Sequence, residues 1–461
     1  MIPMPFLANQ TVAVFGLGRT GRAAAHALRA SGARVLAWDD SQAAREAAAA
    51  DHIPLTDLYD RDWTGVRSLV LSPGVPLDHP VTHPVVALAR GGGCEVLSDI
   101  ELLYRARPDA AFVGITGTNG KSTTTALVAH LLDAAGQRVE VGGNLGRPVL
   151  DFEPLGRGQF YVLEMSSYQL DLSLSLTFRI AVLLNISPDH LDRHGGMDGY
   201  VAAKKRLFHG QGADATAIVG IDDARSRALF DALRAAGPMR AVPVSGNGAA
   251  PGGVYALDGR LVDDLDGAAR AVADLADLGT LRGAHNHQNA AAAYAAARAA
   301  GLEPDEIAAA LATFPGLAHR QELVGEVDGV AFVNDSKATN PDAAAKALAS
   351  YDAIYWIAGG RPKDEVLGDL AGRLRHVRAA FLIGEAAPAF AAGLAGHVPA
   401  QVCGTLEAAV AAAFARARRD RRGHPVVLLS PACASFDQFT DFEARGEAFR
   451  AAVESLAEEL P

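Results

Sequence analysis

The sequence predicts an α/β protein of three Rossmann-like units, each a parallel sheet flanked by helices, with a phosphate-loop unit in the centre. Three observations predict it. Apolar strand-like runs alternate with alanine-rich helical stretches along the chain. Two of those runs lead into glycine-rich turns, Gly16-Leu-Gly-Arg-Thr-Gly21 and Gly114-Ile-Thr-Gly-Thr-Asn-Gly-Lys-Ser-Thr123. A chain of 461 residues is also too long for one hydrophobic core, so two to three domains are expected.

The first unit has strand candidates Thr11–Phe15, Arg34–Trp38 and Ser68–Leu71, ending at Gly16, at Asp39-Asp40 and at Ser72-Pro-Gly74. A second series begins near residue 100. Its strands are Ala111–Thr116, Phe160–Glu164 and Ile180–Asn185, each ending in polar residues. The helix after the second glycine turn should start near Lys121 and stop at Gly136, a natural C′ residue. Gly- and Asp-rich sequence from about 245 to 268 reads as loops and short strands. A third series follows Phe314-Pro-Gly316, with strands Val330–Asn334, Ala353–Ile357, Ala379–Ile383 and Val426–Ser430. The expected domains are 1–99, 100–316 and 317–461.

Composition narrows the class. The formal charge of −11 argues against a dedicated nucleic-acid or membrane-surface binder, while leaving room for local basic pockets. Cys94, Cys403 and Cys433 are far apart and form no CxxC pair, which argues against a disulfide framework or a thiolate zinc site. Met1-Ile-Pro-Met-Pro5 lacks a basic and apolar leader, and no apolar run is long enough to span a bilayer. A cytoplasmic, monomeric protein is expected.

The loop at 114–123 carries the strongest chemistry. Gly117 and Gly120 let backbone N–H groups approach phosphate oxygens. Lys121 supplies a point charge for β/γ-phosphates, and Ser122 suits Mg²⁺. The strict GxxxxGK[ST] pattern would place glycine where Ile115 stands, so this is a variant. Glu164, at the end of an apolar strand, is placed to hold Mg²⁺; alone, it reads equally well as a solvent-facing acid. His190, in Asp189-His-Leu-Asp-Arg-His194, is a candidate for the same site, although a lone histidine is more often structural. Lys204 and Lys205 read, on local sequence, as a solvated helix face. Gly16–Gly21 matches GxGxxG and Asp39 follows the next strand, which suggests NAD or another pyrophosphate-bearing nucleotide. Asn286 and Asn289, in His285-Asn-His-Gln-Asn289, are suited to helix capping or to a base edge. In the third series, Asn334–Asn340, Gly359–Lys363 and Ser430–Phe439 each follow a strand, and three such loops suggest a pocket.

These motifs, in this order and over nearly the whole chain, resemble the Mur ligases of peptidoglycan synthesis. Gly117–Thr123 is similar to the loop that marks the Mur and folylpolyglutamate synthetase superfamily. Asn334–Asn340 and Ser430–Gly446 resemble the D-glutamate-adding branch; sister ligases carry an Ala-His-Asn-Pro type motif where Lys337-Ala-Thr-Asn340 stands. The resemblance implies ATP-dependent ligation of D-glutamate to UDP-N-acetylmuramoyl-L-alanine through an acyl phosphate. It implies ATP contacts from Gly117, Thr118, Asn119, Gly120, Lys121, Ser122, Thr123, Asn286, Asn289, Arg320 and Asp335. It reassigns the first glycine turn to the UDP diphosphate, with Gly18, Thr20, Asp39, Ser72 and Gly74, and puts Asn144 and Ser166 at the muramoyl-alanine end. Lys337, Thr339, Lys363, Ser435 and Phe442 would surround D-glutamate.

The resemblance also overturns the bland reading of Lys204. It implies that this lysine is N-carbamylated and, with Ser122, Glu164 and His190, holds Mg²⁺ at two positions. Lys121, Glu164, His190 and Lys204 are then the catalytic set. Asp40-Ser41 departs from the Thr-Arg pair of some relatives, so an arginine contact to the UDP side is either missing or supplied from elsewhere, Arg19 being one candidate. Substrates divided among three domains imply domain closure before chemistry. The rivals are a sister Mur or folylpolyglutamate-type ligase, an NAD-dependent oxidoreductase, and a nucleotide switch that hydrolyses ATP without ligation.

Overall fold

A computed structural model describes residues 1–281, 283–362, 368–420 and 423–458. The chain forms two compact units, residues 1–278 with 284–314 and residues 279–283 with 315–461.

The first unit contains two sheets. The smaller has β1 (Thr11–Phe15), α1 (Arg19–Ala30), β2 (Arg34–Trp38), α2 (Gln42–Ala50), β3 (Val66–Leu71), α3 (Pro84–Gly91) and β4 (Glu95–Leu97). Its strands are parallel, in the order β2-β1-β3-β4. α4 (Asp99–Ala106) leads out of it, capped by the Ser98 hydroxyl on the Glu101 N–H.

The larger sheet contains β5 (Ala111–Thr116), α5 (Lys121–Ala134), β6 (Val139–Gly143), β7 (Phe160–Glu164), α6 (Ser167–Asp171), β8 (Ile180–Leu183), α7 (Leu191–His194) and α8 (Met197–Lys205). It continues with β9 (Thr216–Gly220), α9 (Ala224–Ala236), β10 (Arg240–Ser245), β11 (Val254–Leu257), β12 (Arg260–Asp263), β13 (Arg270–Asp274), α10 (Ala284–Ala299) and α11 (Pro304–Ala312). The order is β13-β12-β11-β10-β9-β8-β5-β7-β6, parallel except for the antiparallel β11-β12-β13 meander at one edge. β5, an interior strand between β8 and β7, is buried at every position, as its unbroken apolar run requires.

Ile2, Leu28 and Leu97 share one apolar core with Phe112, Phe152 and Leu163, so side chains of both parts of the first unit pack into the same cluster.

The second unit has β14 (Glu322–Val327), β15 (Val330–Asn334), α12 (Pro341–Leu348), β16 (Ile354–Gly359), β17 (Val377–Ile383), α13 (Ala387–Leu394), β18 (Ala400–Gly404), α14 (Leu406–Asp420), β19 (Val426–Leu429) and α15 (Phe442–Glu458). Its order is β14-β15-β19-β16-β17-β18; β14 alone runs antiparallel. One apolar cluster fills each face, around Trp356 and Phe390 on one side and Phe332 and Phe414 on the other. No helix among the described residues is long and apolar enough to cross a membrane.

Candidate active site

The second glycine turn joins β5 to α5, with Gly120 at φ +86° as the N-cap and Gly136 at φ +74° past the helix end. Ile115 interrupts the strict loop pattern because it still belongs to β5, fully buried between Glu164 of β7 and Val182 of β8. The turn itself is therefore only 117–120. Gly120 is required there on two counts: its left-handed φ, and a side chain would sit 2.4 Å from Asn289 Oδ1. Lys121 Nζ donates to the carbonyls of Gly117 and Thr118, both at 2.9 Å.

The segment after β8 trusses this turn. Asn185 accepts the Asn119 N–H at 2.9 Å and donates to the Asn119 carbonyl at 3.1 Å. The Thr118 N–H goes to the Asn185 carbonyl, and the Thr118 hydroxyl donates to the Ser187 carbonyl at 3.0 Å. Asn185 was visible as a strand-end residue but not as a functional one. Gln288 accepts from Asn185 at 3.5 Å and donates to Asp222 at 2.7 Å, linking the turn to the start of α10. In α10, Asn286 and Asn289 are both buried, and Asn289 donates to Asn286 Oδ1 at 3.0 Å.

Glu164 ends β7, beside the turn, and is 2% exposed. Its Oε1 accepts from Asn144 Nδ2 at 2.8 Å, while its Oε2 is buried with no hydrogen-bond partner. A buried carboxylate oxygen left unpaired is costly, and a cation is the group that suits it. The solvated-face reading of Lys204 fails: the side chain is 1% exposed, with Nζ donating to the Gly117 carbonyl at 2.9 Å and to Thr116 Oγ1 at 3.4 Å. α8 turns this residue inward, and Tyr200 on the same helix places its ring 4.6 Å from the ammonium. Burial, then the charge of Lys121, push the Lys204 pKa down to about 7; Asp189 and Glu164 oppose the shift. Lys205 is exposed.

His190 stands apart. It sits at φ +51°, with its ring 53% exposed, 3.5 Å from Asp189 and 5.2 Å from the Tyr168 ring. It makes no hydrogen bond to Glu164 or Lys204. Among the described residues, no group of three His, Cys, Asp or Glu side chains could hold a metal ion. Ser122 is buried in the first turn of α5, and the Ser166 hydroxyl caps α6 in a reciprocal pair with Gln169.

The first glycine turn is built differently. Asp39 spends both carboxylate oxygens on backbone N–H groups, Leu17 at 2.6 Å and Ser41 at 2.8 Å. Gly18 is the N-cap of α1, with Thr20 in its first turn. Ser72 bonds back to the Phe15 carbonyl, and the Gly74 carbonyl accepts from Arg193 at 3.1 Å, so this loop reaches the 189–194 segment. An arginine beside Asp39 is Arg45. Its guanidinium donates to the carbonyls of Asp39 and Asp40 and lies 4.8 Å from the Trp38 ring. Arg45 lies four residues beyond the Ser41 N-cap of α2, so one helical turn carries it back over the strand end.

In the second unit, Lys337 Nζ lies 5.0 Å from the Phe442 ring, which brings two of the expected amino-acid contacts together. Thr339 shares the Lys337 loop, and Ser435 is buried in the loop after β19. Asp335 is buried, accepts from the Ser430 hydroxyl at 2.7 Å and feels the Arg320 charge; burial pushes its pKa up to about 7. Lys363 lies outside the described residues.

The fold and the Gly-Lys-Ser turn together define a nucleotide-binding α/β protein of phosphate-loop type. Residues 115–297 match the Mur ligase middle domain, and 319–433 the Mur ligase glutamate ligase domain. The UDP-N-acetylmuramoylalanine--D-glutamate ligase of Rhodospirillum rubrum is 54% identical, covering 99% of this chain and 97% of that protein. The ligase of the same name from Brucella abortus (strain 2308) is 50% identical, covering 100% and 99%. Two solved structures share the fold. UDP-N-acetylmuramate-alanine ligase from Thermotoga maritima has a TM-score of 0.56 at 16% identity, covering 97% of this chain and 99% of that one. MurF from Acinetobacter baumannii has a TM-score of 0.56 at 20% identity, covering 89% and 96%. The chain belongs to the Mur ligase family, and is an ATP-dependent, amide-bond-forming ligase.

Proposed function

We propose that this chain joins D-glutamate to the L-alanyl carboxylate of UDP-N-acetylmuramoyl-L-alanine in peptidoglycan precursor synthesis, as a cytoplasmic monomer. The observation that carries this reading is whole-length identity of 50–54% to ligases named for that reaction. The domains in this reading are 1–99 for the UDP substrate, 100–316 for ATP and 317–461 for the amino acid.

The alanyl carboxylate attacks the γ-phosphorus of ATP, and ADP leaves. The amine of D-glutamate then attacks the acyl carbon, loses a proton and expels phosphate. A free carboxylate has no good leaving group, which is why the phosphoryl transfer must come first. Backbone N–H groups at the start of α5, from Gly120 to Thr123, cradle the phosphates, and Lys121 offsets charge on the transferring group. Asn286 and Asn289 face the nucleotide's base, and Arg320 and Asp335 contact ATP. Gly18, Thr20, Ser72 and Gly74 receive the UDP end, with Asp39 holding the turn. Asn144 and Ser166 face the muramoyl-alanine. Lys337 and Lys363 offer point charges to the carboxylates of D-glutamate, with Thr339, Ser435 and Phe442 around them.

The unpaired Oε2 of Glu164 supports a Mg²⁺ site shared with Ser122 and a carbamate on Lys204, with His190 as a further ligand or orienter. Bound there, Mg²⁺ would draw negative charge from the phosphates. The lowered pKa of Lys204 supports the carbamate, because the neutral amine is the form that adds to CO₂. The neutral nitrogen bonds to the carbon of CO₂ and loses one proton, turning a neutral amine into an anion beside Lys121; counted from the ammonium, two protons leave.

The test is phosphate release across both glutamate enantiomers and the other amino acids added by sister ligases. Release that requires ATP, UDP-N-acetylmuramoyl-L-alanine and D-glutamate together is expected. Equal release with another amino acid, or without one, would overturn the reading.

A further inference from the structure

Arg445, in the first turn of α15, is 1% exposed and one of the largest fully buried side chains. Among the described residues no carboxylate pairs with it. Its Nε donates to Ser336 Oγ at 2.9 Å, one terminal nitrogen to the Ser336 carbonyl at 2.8 Å and the other to the Cys433 carbonyl at 3.1 Å. Asp437 is the one carboxylate whose charge acts on it. Burial pushes its pKa down only to about 10, so it stays a cation at neutral pH.

The acceptors are informative. Ser336 precedes Lys337, and Cys433 lies two residues before Ser435. Ser336 Oγ also donates to the Phe442 carbonyl at 2.8 Å, while the Phe442 ring carries the Lys337 ammonium. A third loop joins them: Arg361 and Ala434 exchange both backbone hydrogen bonds, and a side chain on Gly360 would sit 2.3 Å from the Ala434 carbonyl and 3.1 Å from the Arg445 guanidinium. These three loops leave β15, β19 and β16, adjacent strands of the sheet, at their carboxyl ends. Open α/β sheets receive ligands at that edge. A neutral side chain of similar volume could brace carbonyls without the desolvation cost of a buried charge. Keeping a cation here makes sense where the ligand is anionic, because the field reaches the edge that binds it.

We propose that Arg445 is a positioning residue for the amino-acid substrate: its fork fixes the loops bearing Lys337, Ser435 and the 359–361 turn in the shape that receives the substrate's carboxylates. This rests on the proposed function, and deepens its D-glutamate site. Arg445 acts through those loops and need not touch substrate. Three donors at fixed angles serve three acceptors on two loops, which a lysine ammonium cannot reproduce.

The experiment compares Arg445→Met, Arg445→Lys and the milder Ser336→Ala with the wild type. Read-outs are KM for D-glutamate, KM for ATP, melting temperature, and trapping of the acyl phosphate by hydroxylamine without D-glutamate. Arg445→Met should raise KM for D-glutamate by about tenfold or more, the scale of losing a charged hydrogen-bonding group. Arg445→Lys should recover only part of that loss, and Ser336→Ala should raise KM severalfold. KM for ATP and hydroxamate formation should stay near wild type. Unchanged KM for D-glutamate in the folded variants, or all constants moving together with melting temperature, overturns the inference. If Arg445→Met does not fold, Ser336→Ala decides. A wild type that releases phosphate without needing D-glutamate defeats the functional reading, and this inference with it.

Discussion

Two glycine-rich turns in the first unit follow the same grammar of strand, turn and helix, yet they present opposite chemistry. At 16–21 the turn leans on an acid: Asp39 takes the Leu17 N–H, and Asp40 stands beside it, bonded to Tyr59 and His83. At 117–120 the turn leans on a neutral amide, Asn185, and two lysines crowd the same carbonyl, Gly117. The first turn fills its donors with a carboxylate, and the second fills its own with an amide, while two lysines and a Glu164 oxygen without a hydrogen-bond partner gather beside it. The comparison teaches that a glycine spacing announces backbone geometry, and that the neighbouring side chains decide what charge the geometry can host.

The largest effect should come from removing the lysine charge at the second turn. Lys121→Ala is expected to lower ATP-dependent amide formation by about 10³-fold or more, a scale typical of groups that stabilise a transferring phosphoryl. Phosphate release checks it, and near-normal turnover would erase the contrast between the turns. Next is the second lysine. If Lys204 carries a carbamate, stripping CO₂ and bicarbonate should depress activity, and bicarbonate should restore it. Indifference to CO₂ would leave Lys204 as a buried amine on a loop carbonyl and nothing more.

Much of this was legible in the sequence, and part of what was missed follows one pattern. The strands found in advance are the buried central ones, such as Ala111–Thr116 and Phe160–Glu164, whose continuous apolar runs announce them. Of the strands missed, several are edges or short pieces, but β9 and β10 are interior and mostly buried. β6 is mostly half-buried and β18 largely exposed, so neither carries such a run, and β12 and β13 are a meander of mixed polarity. In the site, residue types named by local chemistry, such as Lys121 and Glu164, were readable. Lys204 was not, because α8 is apolar on too little of its surface to show which side faces in. Asn185 and Arg445 stayed hidden because partners such as Asn119 and Ser336 lie far along the chain, and only the tertiary fold brings them together.

The finest test of the comparison is to remove the acceptor that holds each turn. Asp39→Ala frees the Leu17 and Ser41 N–H groups and loosens the first turn; Asn185→Ala frees both polar groups of Asn119 and loosens the second. Each variant loses about 1–3 kcal/mol of local hydrogen bonding, enough to shift an apparent affinity about tenfold. If the turns serve different nucleotides, the effects should be separable. Asp39→Ala should raise KM for the UDP substrate and leave KM for ATP near wild type, and Asn185→Ala should do the reverse. The pair controls for stability, because a general loss of folding would move both constants in both variants. A crossed result, with Asp39→Ala weakening ATP, would mean that the acid-backed turn also shapes the phosphate site through the Gly74–Arg193 contact that joins the two sheets' loops.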